Sequence, residues 1–457
     1  MSTTTRFTAA LVTFSLTFGS VLASDWPGFR GSRGGVADEK DLPVQWTKDD
    51  FLWKVKLPGA GTSSPIVTGE KVLITCNAGY GTAITKGLTG FGKRGGKGGF
   101  GRGDTGDQKK LQLLVVCLDR NKGSVLWQKE IQPKLPETPF TGMMREHSYA
   151  SSTPVTDGKN IYVFFGKSGV FAFDLEGKQL WSADVGSSTH SWGSAASPVL
   201  HKDLVIINAA IESKSLVALN KYTGQEVWRQ RGLGTTWSSP LLVETKDGNH
   251  ELVLSLPGKI VAYSPETGKE LWNCQGIGGA RGGGGGGGGG FGGMFGPYTA
   301  STPVARDGIV YVIGGGGPAP ATSLAVKTGG KGDVTKTHIL WKQKAGATNC
   351  SPVLTGDYLC WVDGVVTCLK ISDGTISYKE RLYGGRQEYV SAVSAGDKVY
   401  ALTRYDGLYV LSGGGTFEKL AHNEFKEDTS IFNASPAISD GRMFLRSNAY
   451  LYCVGKN

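Results

Sequence analysis

The sequence predicts an all-β fold: an eight-bladed β-propeller of four-stranded antiparallel blades, closed by an N-terminal strand that pairs into the C-terminal blade. Three observations predict it. A Ser/Thr-Pro start recurs at a nearly constant interval, an eleven-residue pattern ending in Trp recurs with it, and the last copy lacks a strand that the N-terminal region can supply. A period of roughly 40–45 residues is that of a four-stranded propeller blade.

The start motif occurs at Ser64-Pro65, Thr153-Pro154, Ser197-Pro198, Ser239-Pro240, Thr302-Pro303, Ser351-Pro352 and Ser435-Pro436, with an eighth copy at Ala392-Val393 that has lost the proline. From residue 154 the spacings are 44, 42, 63, 49, 41 and 43; the long interval holds a glycine run, and the first interval of 89 holds a Lys/Gly-rich insertion. Pro at the first residue of a strand is tolerated because its missing N–H need not join the ladder. Turn sequences such as Thr156-Asp157-Gly158 and Arg306-Asp307-Gly308 separate the apolar runs, and Gly supplies positive φ at little steric cost.

The second pattern is small-x-polar-x-x-x-Gly-x-x-x-Trp. It is complete at Ala218–Trp228 and Ala262–Trp272, begins with Cys at Cys117–Trp127, is one residue shorter at Ala172–Trp181 and ends in Tyr at Cys368–Tyr378. Ala325 begins a copy interrupted before Trp341, and Val410 begins a worn copy near Phe417. The final copy stops at Tyr452-Cys453-Val454, before its Trp strand, while Phe51-Leu52-Trp53-Lys54-Val55 is a spare strand of the right kind. Pairing the two removes open sheet edges. The expected divisions are a signal peptide at 1–23, an N-terminal extension at 24–50 and the propeller at 51–457, with insertions at about 77–110 and 276–297.

Arg6 followed by the apolar run Phe7–Leu22, with Val21 and Ala23 at the −3 and −1 positions, reads as an export signal cleaved after Ala23; an uncleaved anchor is the alternative. No Cys occurs before Cys76, so a lipid-modified Cys near the start is not expected. The formal net charge is +10, but half of it sits in Lys86–Lys110, where seven Lys/Arg face two Asp. Charge gathered in one insertion is not a basic face, which argues against a nucleic-acid partner despite the Arg/Gly-rich run 91–103.

The small-x-Asp-x-x-Thr-Gly-x-x-x-Trp unit resembles the pyrroloquinoline-quinone (PQQ) type repeat, in which the Trp of one blade packs on the next. The resemblance runs from Trp53 to Val454. Two families share that repeat: the quinoprotein alcohol dehydrogenases, and the non-enzymatic propeller of the bacterial outer-membrane β-barrel assembly machinery. The opening Asp25-Trp26-Pro27-Gly28-Phe29-Arg30-Gly31 looks like a secreted bacterial branch of PQQ-binding-like propellers. The resemblance implies a fold, and function has to be argued from a site.

The tryptophans Trp53, Trp127, Trp181, Trp228, Trp272 and Trp341 are expected to dock blade on blade. Ligand-binding candidates lie instead in the loops before each Ser/Thr-Pro, which line one mouth of the channel. They are Arg145, His147, Tyr149, His190, Trp192, Trp237, Tyr298, Asn349, Arg386, Glu388, Tyr389 and Asn433, with Glu146 and Phe432 in the same loops. Such a ring can stack a planar ligand and pair with carboxylates, or it can plug the channel.

A quinoprotein dehydrogenase needs Ca²⁺ held by carboxylate and amide oxygens, and a carboxylate base. Glu388 is the catalytic candidate, with Asn349 or Asn433 as further oxygen donors; no Asp stands at a matching position and no adjacent Cys-Cys pair occurs. Seven cysteines leave at least one unpaired. In a two-residue Asp363-Gly364 hairpin, Cys360 faces Thr367 and Cys368 faces Leu359, so a Cys360–Cys368 disulfide is not expected. Cys117, Cys368 and Cys453 are read as core fillers, and no Cys/His spacing suggests a metal site.

The resulting expectation is an exported binding or scaffold protein of the bacterial cell envelope, periplasmic or secreted and monomeric. Its partner is an envelope protein, or a small polar or aromatic ligand at the channel mouth. The alternatives are a PQQ-dependent alcohol or sugar dehydrogenase carrying PQQ and Ca²⁺, and a glycan-binding module.

Overall fold

The computed structural model describes residues 25–81, 106–140, 146–278, 298–316, 319–384 and 388–455. The expected signal peptide, most of the Lys/Gly-rich insertion and the run of nine glycines lie outside the described residues. Eight four-stranded antiparallel blades, each running from an inner to an outer strand, form the ring, and two of their sheets gain a short parallel fifth strand. Blade 1 runs Ile66–Thr68, Lys71–Ala78, Gln112–Asp119 and Val125–Ile131, and the inner strands of blades 2 to 8 start at Val155, Val199, Leu241, Val304, Val353, Val393 and Ala437. Blade 8 takes its outer strand from the other end of the chain: Phe51–Lys56 pairs antiparallel with Tyr450–Gly455, with Trp53 opposite Cys453. The ring therefore closes through strand pairing, as the sequence predicts.

The register explains the eleven-residue pattern. In every blade the small residue of the third strand stands opposite the Trp position of the fourth: Cys117 opposite Trp127, Ala172 opposite Trp181, Ala218 opposite Trp228, Ala262 opposite Trp272 and Ala325 opposite Trp341. In blade 6 Cys368 faces Tyr378; in blade 7 Val410 faces Ala421, so the worn copy ends there and not near Phe417. The Gly of the pattern belongs to the neighbouring blade's Trp. A Cβ at Gly123 would lie 2.6 Å from Trp53 Cδ2, and one at Gly224 2.6 Å from Trp181 Cε3. Only a residue without a side chain lets the indole lie flat against the turn.

Five of the six tryptophans also donate their indole N–H to a carbonyl of the next blade: Trp53 to Arg120, Trp127 to Leu175, Trp181 to Lys221, Trp228 to Pro265 and Trp341 to Ile371, at 2.8–3.0 Å. Trp272 departs from this. The copy in blade 5 is interrupted, and Trp272 donates instead to the Glu251 carboxylate of its own blade at 2.9 Å. The other Glu251 oxygen accepts the Gly329 N–H at 3.0 Å, so this carboxylate replaces the missing interblade carbonyl.

The start motif has a separate role. Each Ser/Thr hydroxyl accepts the backbone N–H of its counterpart in the preceding blade: Ser64 to Thr153, Thr153 to Ser197, Ser197 to Ser239, Ser239 to Thr302, Thr302 to Ser351, Ser351 to Ser391 and Ser391 to Ser435, all at 2.9–3.0 Å. Ser435 N–H donates to Ser64 Oγ and completes the circle. The hydroxyl is present in all eight blades; in blade 7 it belongs to Ser391, one residue before the start expected at Ala392-Val393, and Ala392 takes the place of the proline.

The segment 26–37 crosses the channel axis. Trp26 bridges to Val67 of blade 1, Pro27 accepts the Thr156 N–H of blade 2, and Val36–Ala37 pairs in parallel with Ser394–Ala395 of blade 7. The buried Arg30 donates to the Pro352 and Ala392 carbonyls at 2.6 and 3.2 Å, tying this segment to blades 6 and 7.

One expectation is overturned. The blade 6 hairpin pairs Val362 with Val366, so its turn is one residue longer than a two-residue register requires. Cys360 then stands directly opposite Cys368, and the two form a disulfide. A one-residue slip had placed them on opposite faces. Cys368 is thus not a free core filler, whereas Cys117 and Cys453 are buried free thiols.

Candidate functional site

The loops that precede each inner strand converge on a cavity of about 140 Å³ in the channel mouth. Six of the sequence candidates line it: His147, Trp192, Trp237, Asn349, Tyr389 and Asn433. Below them lie the eight hydroxyls of the Ser/Thr ring, and Phe29 of the crossing segment also lines the cavity. The ring hydroxyls accept backbone N–H groups and, among the described residues, donate to no protein acceptor, so each keeps a proton to offer.

The aromatic wall is continuous. His147 stacks against Tyr389 at 5.2 Å and Trp192 at 6.0 Å between ring centres. Trp192 leans on Trp237 at 5.6 Å, and Trp237 donates its indole N–H to the Gly193 carbonyl at 2.8 Å. Burial and the nearby Arg404 push His147 down to about 4, so the ring is a neutral imidazole at neutral pH.

The other candidates stand back from the cavity. Tyr298 packs edge-on behind Trp192 at 4.9 Å, with its hydroxyl pushed up to about 12 by burial. His190 accepts the Trp192 backbone N–H through Nδ1 at 3.1 Å and meets Trp237 edge-on at 5.0 Å, which makes it a buttress of the wall. Tyr149 turns away, donating to the Thr138 carbonyl at 3.1 Å and packing on Phe140. Glu388 is fully buried outside the cavity lining. Its Oε2 accepts the Arg404 backbone N–H at 3.0 Å, and its own N–H donates to Asp363 at 2.9 Å. Burial raises its carboxyl to about 8, with the Arg404 charge opposing. Arg145 and Arg386 lie outside the described residues.

Arg404 was not legible as a site residue. It sits in blade 7 beyond a strand, far from every start motif, yet its guanidinium lies 4.1 Å from the Tyr389 ring centre and forms a buried ion pair with Glu146. Its Nε donates to Asn433 Oδ1 at 2.8 Å, and Asn433 Nδ2 donates to the Glu146 carbonyl at 2.9 Å. The charge is thus bound into the wall, where it fixes Tyr389 and Asn433.

The fit to PQQ and Ca²⁺ can be judged from these residues. A tricarboxylate needs cations, and Ca²⁺ needs several carboxylate or amide oxygens. Among the described residues that line the cavity none is Asp, Glu, Lys or Arg, and no group of three or more His, Cys, Asp or Glu side chains could hold a metal ion. The described site does not fit that pair.

Comparison with known proteins gives a consistent fold. A family model described as outer membrane protein assembly factor BamB matches residues 112–380. The solved BamB of Moraxella catarrhalis covers 89% of this chain and 97% of its own, at 13% identity and a TM-score of 0.56. Quinohemoprotein alcohol dehydrogenase of Comamonas testosteroni covers 95% of this chain and 81% of its own, at 13% identity and a TM-score of 0.57. Both likenesses show the fold alone. A quinoprotein ethanol dehydrogenase of Pseudomonas aeruginosa is 32% identical over an alignment of 156 residues that covers 29% of this chain and only 23% of that enzyme's length.

Proposed function

The chain belongs to the family of PQQ-repeat propellers typified by outer membrane protein assembly factor BamB, and from that premise we propose that it is a binding or scaffold propeller of the bacterial cell envelope. The observation that carries this reading is the absence of a charged side chain among the described residues that line the cavity. Its described lining offers aromatic faces, hydroxyls and amides, and neither the cations nor the carboxylates that a quinone and its metal require. Glu388 is buried behind the wall with one oxygen committed to the Arg404 backbone, a position that suits a structural carboxyl. Export to the periplasm or beyond accords with the Arg6–Ala23 leader pattern and with the Cys360–Cys368 disulfide, which persists in oxidising compartments. Among the described residues no helix is long and apolar enough to cross a membrane.

The test is direct. The purified protein is incubated with PQQ and Ca²⁺, freed of unbound quinone, and assayed for dye reduction with alcohols and sugars. The expected result is no retained quinone absorbance and no turnover. Stoichiometric quinone with turnover that Glu388→Ala abolishes would establish a dehydrogenase instead.

A further inference from the structure

We propose that the channel-mouth cavity is a binding site for a neutral carbohydrate, one sugar ring of which stacks on the Trp192–Trp237 wall while Asn349 and His147 bind its hydroxyls. This rests on the binding reading above and names the ligand class for that site.

Two kinds of group meet in the cavity. The first is an indole pair joined to Tyr389 through His147, which presents flat, electron-rich faces. The second is a set of polar atoms with nothing to bind. Both the oxygen and the nitrogen of the Asn349 side-chain amide, and Nε2 of His147, are buried without a hydrogen-bond partner. A buried polar atom left unpaired is costly, so this many together mark a place built for a partner.

The chemistry of these atoms narrows the partner. Asn349 offers one acceptor and one donor group side by side, the neutral imidazole either accepts or donates, and the ring hydroxyls below offer protons. Vicinal sugar hydroxyls donate and accept alternately and match this set, while the C–H face of a pyranose packs on indole. A carboxylate, sulfate or phosphate finds no cation in the described lining. A wholly apolar ligand would leave Asn349 and His147 unpaired and is disfavoured for that reason.

The crossing segment adds depth. Phe29 lines the cavity, and residues 26–37 span the channel against the inner strands, so a glycan enters as far as its end. Recognition of a chain end is therefore expected, with little dependence on the length beyond it.

The experiment uses the whole exported chain and a panel of neutral oligosaccharides of glucose, galactose, mannose and N-acetylglucosamine. Binding is measured by isothermal titration and saturation-transfer NMR to about 10 mM, where even a millimolar site fills. The expected result is saturable binding by at least one member, weakened tenfold or more by Trp192→Ala and by Asn349→Ala. Sulfated and uronic counterparts should bind more weakly than their neutral forms. Melting curves of both variants, unchanged within a few degrees, separate a lost contact from a lost fold; Trp192→Phe, which keeps a stacking face, should retain most of the affinity. Absence of binding across the panel overturns the proposal, as does binding that both alanine variants leave intact. Either failure without quinone uptake leaves the scaffold reading standing, whereas quinone uptake with turnover removes both.

Discussion

The backbone N–H of Ser435 donates to Ser64 Oγ at 3.0 Å, across 371 residues of chain. It is the closing link of a hydroxyl circle that passes once through every blade. Both residues are buried, and the Ser435 N–H loses its protein acceptor if the hydroxyl is removed. Ser64→Ala is expected to cost about 1–3 kcal/mol, the penalty of an orphaned buried donor. Ser64→Thr, which keeps the acceptor and reproduces what Thr153 and Thr302 do in blades 2 and 5, should cost less than ~1 kcal/mol. Urea unfolding of the two variants decides between a hydrogen-bonding and a merely packing role.

The Trp–Gly contact between blades gives a second expectation. Gly123 has φ +69° and its missing Cβ would lie 2.6 Å from the Trp53 ring, whereas Gly158 has φ +82° and open space around it. Alanine at Gly158 meets only the left-handed backbone penalty of about 1–2 kcal/mol. Alanine at Gly123 adds overpacking of about 1–3 kcal/mol at the blade 8 to blade 1 seam. Gly123→Ala should therefore unfold at clearly lower urea concentration than Gly158→Ala, and equal midpoints would refute the packing account.

Glu388 makes the stability depend on pH in a stated direction. Burial raises its carboxyl from 4.5 to about 8, so between those values the folded chain holds a proton that the unfolded chain has released. Stability from this group is complete below about pH 4.5 and is lost as pH rises towards 8. Glu388→Gln keeps an oxygen for the Arg404 N–H and cannot ionise. It should gain on the wild type by at least ~1 kcal/mol, the worth of one pKa unit, on going from about pH 5 to about pH 9. Parallel urea midpoints at the two pH values would show that the carboxyl is not held neutral. His147 acts oppositely in the wild type, since burial lowers it from 6.5 to about 4 and stability tied to it grows as pH rises through that range. The difference between wild type and Glu388→Gln isolates the carboxyl.

The cysteines yield a count. Of seven, Cys360 and Cys368 are joined and Cys76, Cys117, Cys274, Cys350 and Cys453 are buried free thiols. Alkylation of the native protein should modify none of the five at an appreciable rate. Alkylation in denaturant without reductant should modify five, and with reductant seven. Seven modified without reductant would place the blade 6 pair in the reduced state.

The channel site was partly legible because loop position follows from the repeat. Once Ser/Thr-Pro marks each inner strand, the residues just before it face the mouth, and His147, Trp192, Trp237, Asn349, Tyr389 and Asn433 were found in that way. The same rule drew in Tyr149 and Glu388, which share those loops but turn their side chains into the gaps between blades. Sequence position fixes where a loop runs and leaves the choice of rotamer to its neighbours.

By itself the sequence determined the number of blades, the partner of the last one and the spacing of Trp and Gly, because each is a local pattern repeated under one steric demand. Tertiary structure alone decided the rest. The Arg404–Glu146 ion pair joins residues 258 positions apart, and no periodicity relates them. The disulfide depended on a one-residue choice of hairpin register that packing on both blade faces settles. The lack of charge among the described lining residues is likewise collective: the fold buries Glu388 outside the lining, pairs Arg404 with Glu146 and Asn433, and by burial holds His147 down to about 4, so that it is neutral at neutral pH.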